Sequence, residues 1–302
     1  MFIADMHCDS LSRVSGERGL ITDYNVSGAG ALQFFACFLS NKDRAPQQRR
    51  REVMHYLDMY ISECSRLSLN TVKSVRDLNE MRKGKVSALF SIEGGGGLLS
   101  TSEELDVLYK MGLRVMGLCW DSNELACAAW DNFDTGLTEE GRRVVERLSE
   151  MGIVLDVSHM SDKSIYDCLD ATSYPLLATH SNFRDVCNSP RNLTREQAKM
   201  ITERGGVIGL NIYPPFLSDK GDGATGDDIL RHVDYALENF GENSLGFGFD
   251  IDGTDGLYPD FVRTDRSIHE QVVELLLSHY SESVVSKIAG ENVIGFLENN
   301  LY

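Results

Sequence analysis

The sequence predicts an α/β fold, a (β/α)8 barrel occupying residues 1–302 as one domain, and three observations carry that prediction. Short apolar runs alternate with helical patterns from one end of the chain to the other. Several of these runs are continuously apolar rather than alternating, as parallel strands covered on both faces require. At 302 residues the chain matches the size of one such barrel, and no long linker, low-complexity segment or clear internal repeat divides it. An open doubly wound sheet is the competing architecture. No GxGxxG follows the first apolar run, which removes the usual dinucleotide-binding version of that sheet.

The expected strands are, in order, Phe2–Asp9, Ala31–Leu39, Val86–Glu93, Leu113–Cys119, Ile153–His159, Pro175–His180, Val207–Tyr213 and Ser244–Asp250. Between them lie helix signals. A helix is expected to begin near Ala45 and to carry Arg49, Arg50 and Arg51 on a solvated face. Thr101 with Glu104, and Thr194 with Gln197, have the spacing of a capping box. Thr138 precedes Glu139 and Glu140, acids in a first turn where the helix dipole favours negative charge. The acidic, glycine-rich stretch Asp219–Asp228 reads as a surface loop leading into a helix around Ile229–Phe240.

Composition narrows the function classes. Hydrophobic residues make up 42% of the chain and charged ones 25%, ordinary for a soluble protein with a sizeable core. The formal net charge is −17 and no basic patch is concentrated, which argues against nucleic acid and against anionic membranes as partners. No apolar run approaches a bilayer span, and the first residues lack the basic and apolar regions of a secretion signal. A cytoplasmic location is therefore expected. The seven cysteines are odd in number and lack CxxC pairs, a pattern of buried free thiols in a reducing compartment.

The chemistry-bearing residues sit at the ends of the expected strands. In DMHCD, His7 and Asp9 stand two positions apart, so on a strand they share a face and Cys8 takes the other. Glu93 ends its run before Gly94 to Gly97, glycines that permit a sharp turn or a close approach to a ligand. No Gly-Lys-Ser/Thr follows to make a phosphate cradle. Taken singly, a histidine such as His159 or His180 at a strand end is a common structural residue, and Asp250 could simply cap a turn. Together they fall where barrel strands end and the following loops converge on one mouth. His55, His232, His269 and His279 fall in helical segments without evident company. A mixture of imidazole and carboxylate suits zinc or a similar divalent metal, and a carboxylate able to bridge suggests two.

The ordered set DMHCD, SIEGG, LDVSHMS, ATHSN, NSPRNLT and GFDIDG resembles the renal (membrane) dipeptidase family of zinc metallopeptidases, within the amidohydrolase superfamily, from end to end of the chain. The resemblance implies a metal-dependent hydrolase barrel holding two Zn2+ per chain, with other divalent metals as alternatives. It implies that His7 and Asp9 hold one metal, His159 and His180 the other, and that Glu93 bridges them. Asp250 matches the acid that contacts the nucleophilic water or the substrate amine, with Asp252 a weaker claimant. Arg191 matches an arginine that receives the dipeptide's terminal carboxylate through paired hydrogen bonds; a structural salt bridge is its alternative. Tyr213 matches a tyrosine near that same end of the substrate. The implied reaction is hydrolysis of free dipeptides, L at the first residue and L or D at the second, by a hydroxide between the metals, with Asp250 moving the proton. Pairing as a homodimer is a further expectation of the resemblance.

The chain departs from the mammalian members at Trp120, which stands where they carry a histidine that helps to hold the reacting carbonyl. An indole has one donor and no acceptor nitrogen, so Trp120 is expected to line the substrate pocket or to donate a single hydrogen bond. The end FLENNLY shows no lipid-anchor signal. DIDGTDG lacks the glycine that a calcium loop needs at its sixth position, where Asp255 stands. No GxSxG is present, which disfavours acyl-enzyme chemistry. Two other functions compete with the dipeptidase: a related hydrolase of a non-dipeptide amide or lactone, for which Arg191 would have no purpose, and a catalytically silent metal-binding protein.

Overall fold

The computed structural model describes residues 1–14, 19–20, 30–40, 45–81, 84–96, 102–131 and 133–301. Within them, nine parallel strands form: β1 (Ile3–Asp5), β2 (Ala31–Phe38), β3 (Asn70–Thr71), β4 (Val86–Glu93), β5 (Leu113–Gly117), β6 (Val154–Asp156), β7 (Leu177–Ala178), β8 (Val207–Leu210) and β9 (Leu245–Phe247). The two long apolar runs β2 and β4 pair along their whole length, Ala31 opposite Val86 and Phe38 opposite Glu93. β5 to β9 follow in chain order, and β9 returns to β1 through Asp5 opposite Phe247, so eight strands close a barrel. The short β3 lies outside that ring and pairs with Ser87 and Ala88 of β4, below the point where β5 takes over at Phe90. Two residues without an apolar run leave no pattern to detect, which is why β3 was not expected.

Helices cover the barrel. One buried cluster joins strand residues such as Ile3, Phe35, Phe90 and Phe247 to the surrounding helices. A second runs through Ala4, Leu32, Leu89, Val115, Val154, Leu177 and Val207 onto Val293, Ile294, Phe296 and Leu297 of the helix Asn292–Asn300. Each fully buried side chain of this size stabilises the fold by about 1.5–3 kcal/mol. No helix among the described residues is long and apolar enough to cross a membrane. All seven cysteines are free and buried.

Seven of the eight expected strands stop early: β2, β5 and β8 end at Phe38, Gly117 and Leu210 rather than Leu39, Cys119 and Tyr213, and the other four share one cause. β1 ends at Asp5 rather than Asp9, β6 at Asp156 rather than His159, β7 at Ala178 rather than His180, and β9 at Phe247 rather than Asp250. The Asp5 carboxylate accepts the backbone N–H groups of His7 and Phe249, both at 3.1 Å. The Asp156 carboxylate accepts those of Ser158 at 3.0 Å and Thr179 at 2.9 Å. These side-chain bonds replace the ladder. His159 and Asp250 then turn to φ +69° and +60°, left-handed values that a strand does not contain.

The helix signals fared unevenly. Thr138 and Thr194 cap their helices, the latter in a complete capping box with Gln197. Thr101 lies outside the described residues. The helix Gly226–Phe240 starts earlier than expected because Thr225 and Asp228 form a capping box, which draws the end of the acidic stretch into the first turn. The basic cluster is also corrected. The helix Pro46–Arg66 starts where expected, but Arg49 is only 4% exposed and sits 3.5 Å from Glu124, while Arg50 pairs with Glu104 at 3.0 Å. Arg49 is thus buried beside an acid rather than solvated.

Candidate metal centre

The strand ends bring His7, Asp9, Glu93, His159, His180 and Asp250 together, and all six are buried. His7 Nε2 lies 3.4 Å from Asp9 Oδ2, 3.6 Å from Glu93 Oε2 and 3.8 Å from Asp250 Oδ1. Glu93 reaches the other way with its second oxygen. Its Oε1 is 2.6 Å from His159 Nε2 and 3.4 Å from His180 Nε2. The two histidine nitrogens are 2.8 Å apart. Among the described residues, two overlapping sets could each hold a cation: His7, Glu93 and His180, and His7, Asp9 and Asp250. His159 stands in neither set despite its contact with Glu93, and Asp252 also stays outside both.

The backbone is strained where the site needs it. His159 and Asp250 hold left-handed φ values without being glycine, a conformation that costs energy and gathers at functional sites. Glycine serves at two places. Gly94, at φ +84°, packs on the carbonyl of Leu39, so the backbone turns tightly at that residue; Gly97 lies outside the described residues. A Cβ at Gly253 would strike Asp250 Oδ1 and Asp9 Oδ2, so the DIDG turn closes directly over the carboxylates.

Charge explains what this cavity wants. Burial by itself lowers the pKa of His7, but Glu93 and Asp9 outweigh it and hold the imidazole well above its usual range. Burial pushes Glu93 up, yet His7 and His159 hold it well below the usual carboxylate range. Burial raises Asp250 to about 8 against the pull of His7, with Asp9 and Glu93 adding repulsion. His159 is lowered to about 4 by burial and the nearby Arg191 cation, and burial, His7 and Arg191 depress His180 well below its usual value. Three buried carboxylates therefore compete for one protonated histidine while two neutral imidazoles offer lone pairs. Leaving such a group without a countercharge costs several kcal/mol per ion. His7 Nε2 and Asp9 Oδ1 are also buried without a hydrogen-bond partner. The nitrogen and oxygen donors, the excess of negative charge and these two orphaned atoms fit divalent cations such as zinc.

Arg191 borders the cluster and is itself buried. Its Nε donates to His159 Nδ1 at 3.1 Å, Nη1 to Ser181 Oγ at 3.0 Å and Nη2 to the His180 carbonyl at 3.0 Å. The Phe216 ring lies 5.7 Å from the guanidinium carbon, and Tyr213 meets that ring edge-on at 4.9 Å. Trp120 lies beside the histidines, its ring 6.1 Å from that of His159 and edge-on to Phe38 at 5.0 Å. Asn211 donates to Asp250 Oδ2 at 3.1 Å.

Several residues that shape the site carried no signal in the sequence reading. His269 has company after all: its Nε2 donates to Asp5 Oδ2 at 2.7 Å, across the barrel wall. His232 accepts from the Phe183 N–H at 3.4 Å and contacts the Leu217 carbonyl at 3.1 Å. Asp5 and Asp156 could have been found as charged residues inside otherwise apolar strands. Gly253, the last residue of GFDIDG, had no such mark.

Comparisons with known proteins give the family and the fold. The family model of the membrane dipeptidases, peptidase family M19, matches residues 23–300. An uncharacterized protein from the pqqA 5′ region of Klebsiella pneumoniae is 33% identical over 239 residues, covering 75% of this chain and 87% of its own. An uncharacterized dipeptidase of Schizosaccharomyces pombe is 28% identical over 216 residues, covering 70% of this chain and 53% of its own. A Rhodobacter sphaeroides metallopeptidase, crystallised with a phosphinate mimic of L-Ala-D-Ala, superposes with a TM-score of 0.86 at 23% identity and covers 99% of both chains. That structural likeness shows the fold, a parallel β/α barrel. By the span of the family match, the chain belongs to the membrane dipeptidase family.

Proposed function

We propose that the protein is a binuclear zinc dipeptidase acting on free dipeptides with an L-configured first residue and an L or D second residue. The observation that carries this reading is the placement of one buried guanidinium, Arg191, against a cluster able to hold two cations. A cationic group for a terminal carboxylate beside a centre for amide hydrolysis defines a substrate with its scissile bond close to its C-terminus. His7 and Asp9 would hold one metal, His159 and His180 the other, with Glu93 between them. Bound there, the metals supply Lewis acidity, polarising the peptide carbonyl and acidifying water.

The chain's own groups do the rest. Asn211 holds Asp250 through Oδ2, which leaves Oδ1, on the His7 side, as the atom that takes a proton and returns it to the leaving amine. Three of the five Arg191 N–H donors are spent on the site's own atoms, and the two that remain are those offered to the substrate carboxylate. Trp120 walls the pocket beside His159, and Tyr213 lies near the Arg191 end through Phe216. A second reading, hydrolysis of an amide that lacks a carboxylate, draws on the same three internal bonds of Arg191, which give it a structural purpose.

Elemental analysis of zinc-loaded, desalted protein tests the metal part. Two equivalents per chain are expected, falling towards one in Asp9→Ala. A wild-type stoichiometry of one or none contradicts the binuclear reading.

A further inference from the structure

We infer that Asp156, which does not reach the metal centre, sets the tautomer of His180 through the hydroxyl of Thr179 and so keeps Nε2 free as a ligand. The inference rests on the metal-dependent reading above. Its basis is a chain of short contacts in which each proton has one place to go. Asp156 Oδ1 is occupied by the backbone N–H groups of Ser158 and Thr179. Asp156 Oδ2 receives the Thr179 hydroxyl at 2.6 Å. A carboxylate only accepts, so the hydroxyl proton is committed to it. Thr179 Oγ1 lies 2.8 Å from His180 Nδ1 and has only lone pairs left to offer, so Nδ1 must carry the proton. The neutral imidazole then has its lone pair on Nε2, the nitrogen that faces Glu93 Oε1 and His159. The other ring nitrogen of a metal-binding histidine is commonly fixed by such a partner.

The same carboxylate fixes position as well as proton. It ties β6 to the residue before His180, and the Ser158 hydroxyl accepts the His180 backbone N–H at 3.2 Å. The arrangement at His159 is the reverse. There Arg191 donates to Nδ1, which leaves the proton on Nε2. The two histidines are therefore not equivalent, and His180 is the one prepared in advance to bind.

The isosteric change Asp156→Asn reverses the relay. Its amide oxygen must stay on the two backbone N–H groups, so its NH2 faces Thr179, and the hydroxyl turns its proton towards His180 Nδ1. Thr179→Val keeps both backbone bonds to Asp156 and deletes only the hydroxyl, whereas Thr179→Ser retains the hydroxyl. The test reads the His180 tautomer by 15N–1H correlation in metal-free protein, and cobalt(II) affinity by absorption titration of the same proteins. Expected are an Nδ1–H tautomer in wild type and Thr179→Ser, and an Nε2–H or mixed tautomer in Asp156→Asn and Thr179→Val. Cobalt(II) binding in the latter two should weaken about 10- to 100-fold. An Nε2–H tautomer in wild type overturns the inference, as does unchanged tautomer and affinity in both variants. A wild type that takes up no cobalt overturns the dipeptidase reading and this inference with it. Normal uptake by wild type and by both variants overturns the inference alone.

Discussion

Arg191 Nε donates to His159 Nδ1 at 3.1 Å, so the residue expected to bind the substrate also controls the proton of a residue expected to bind metal. A metal held by His159 through Nε2 needs the proton on Nδ1, where Arg191 Nε–H now points. The two bonds are mutually exclusive, so His159 would release Arg191 Nε if it held a metal, while the bonds of Nη1 to Ser181 and Nη2 to the His180 carbonyl could remain.

This gives Arg191 a measurable signature. Arg191→Lys keeps the charge but loses the planar fork, and hydrogen bonds between charged groups contribute about 1.5–3 kcal/mol. KM for free dipeptides is expected to rise by about 10- to 100-fold, with a smaller change in kcat. Steady-state kinetics check this. An unchanged KM would return Arg191 to a purely structural role.

Asp250 predicts a pH dependence in metal-free protein. Burial raises its carboxyl to about 8, against the pull of His7 and with repulsion from Asp9 and Glu93, whereas in the unfolded chain it titrates near 3.8. A pKa raised by folding contributes stability below the unfolded value, and that contribution is lost as pH climbs through the folded one. His7 acts in the same direction. His159 and His180 act oppositely, but the stability they gain with rising pH is complete above the unfolded histidine value of about 6.5. Thermal melts in chelator should therefore show stability falling between about pH 6.5 and 8, and Asp250→Asn should flatten that fall. Parallel wild-type and variant curves would show that Asp250 does not titrate there.

Trp120 should tune substrate choice rather than chemistry. Its ring packs on Phe38 and beside His159, and contacts of this kind contribute about 0.5–1.5 kcal/mol beyond area burial. Trp120→Ala is expected to reorder kcat/KM across a dipeptide series by up to about tenfold while zinc content stays the same. An unaltered ranking would place the ring outside the pocket.

The barrel was legible because β2 and β4 are long, mainly apolar runs whose ends carry Phe38 and Glu93, and the remaining strands repeat that pattern in shorter form. The six clustered residues were legible because each stands at or just beyond the end of such a run. Their support was not. Asp5 and Asp156 act by bonding backbone N–H groups on neighbouring strands, and which strands are neighbours is fixed by closure of the barrel, not by local sequence. Arg49 looked solvated because its helix reads as polar there, and its partner Glu124 stands 75 positions away in the sequence. His269 lies 264 positions from its partner Asp5, beyond the reach of any motif.

The most direct test of the central claim is hydrolysis of L,L and L,D dipeptides by zinc-loaded protein, each beside its C-terminally amidated version, followed by mass spectrometry. Turnover of the free dipeptides, loss of turnover in chelator and little or none with the amides is the predicted result. Equal turnover of amides and free dipeptides would contradict the role given to Arg191, and no turnover by protein that carries zinc would contradict the dipeptidase reading itself.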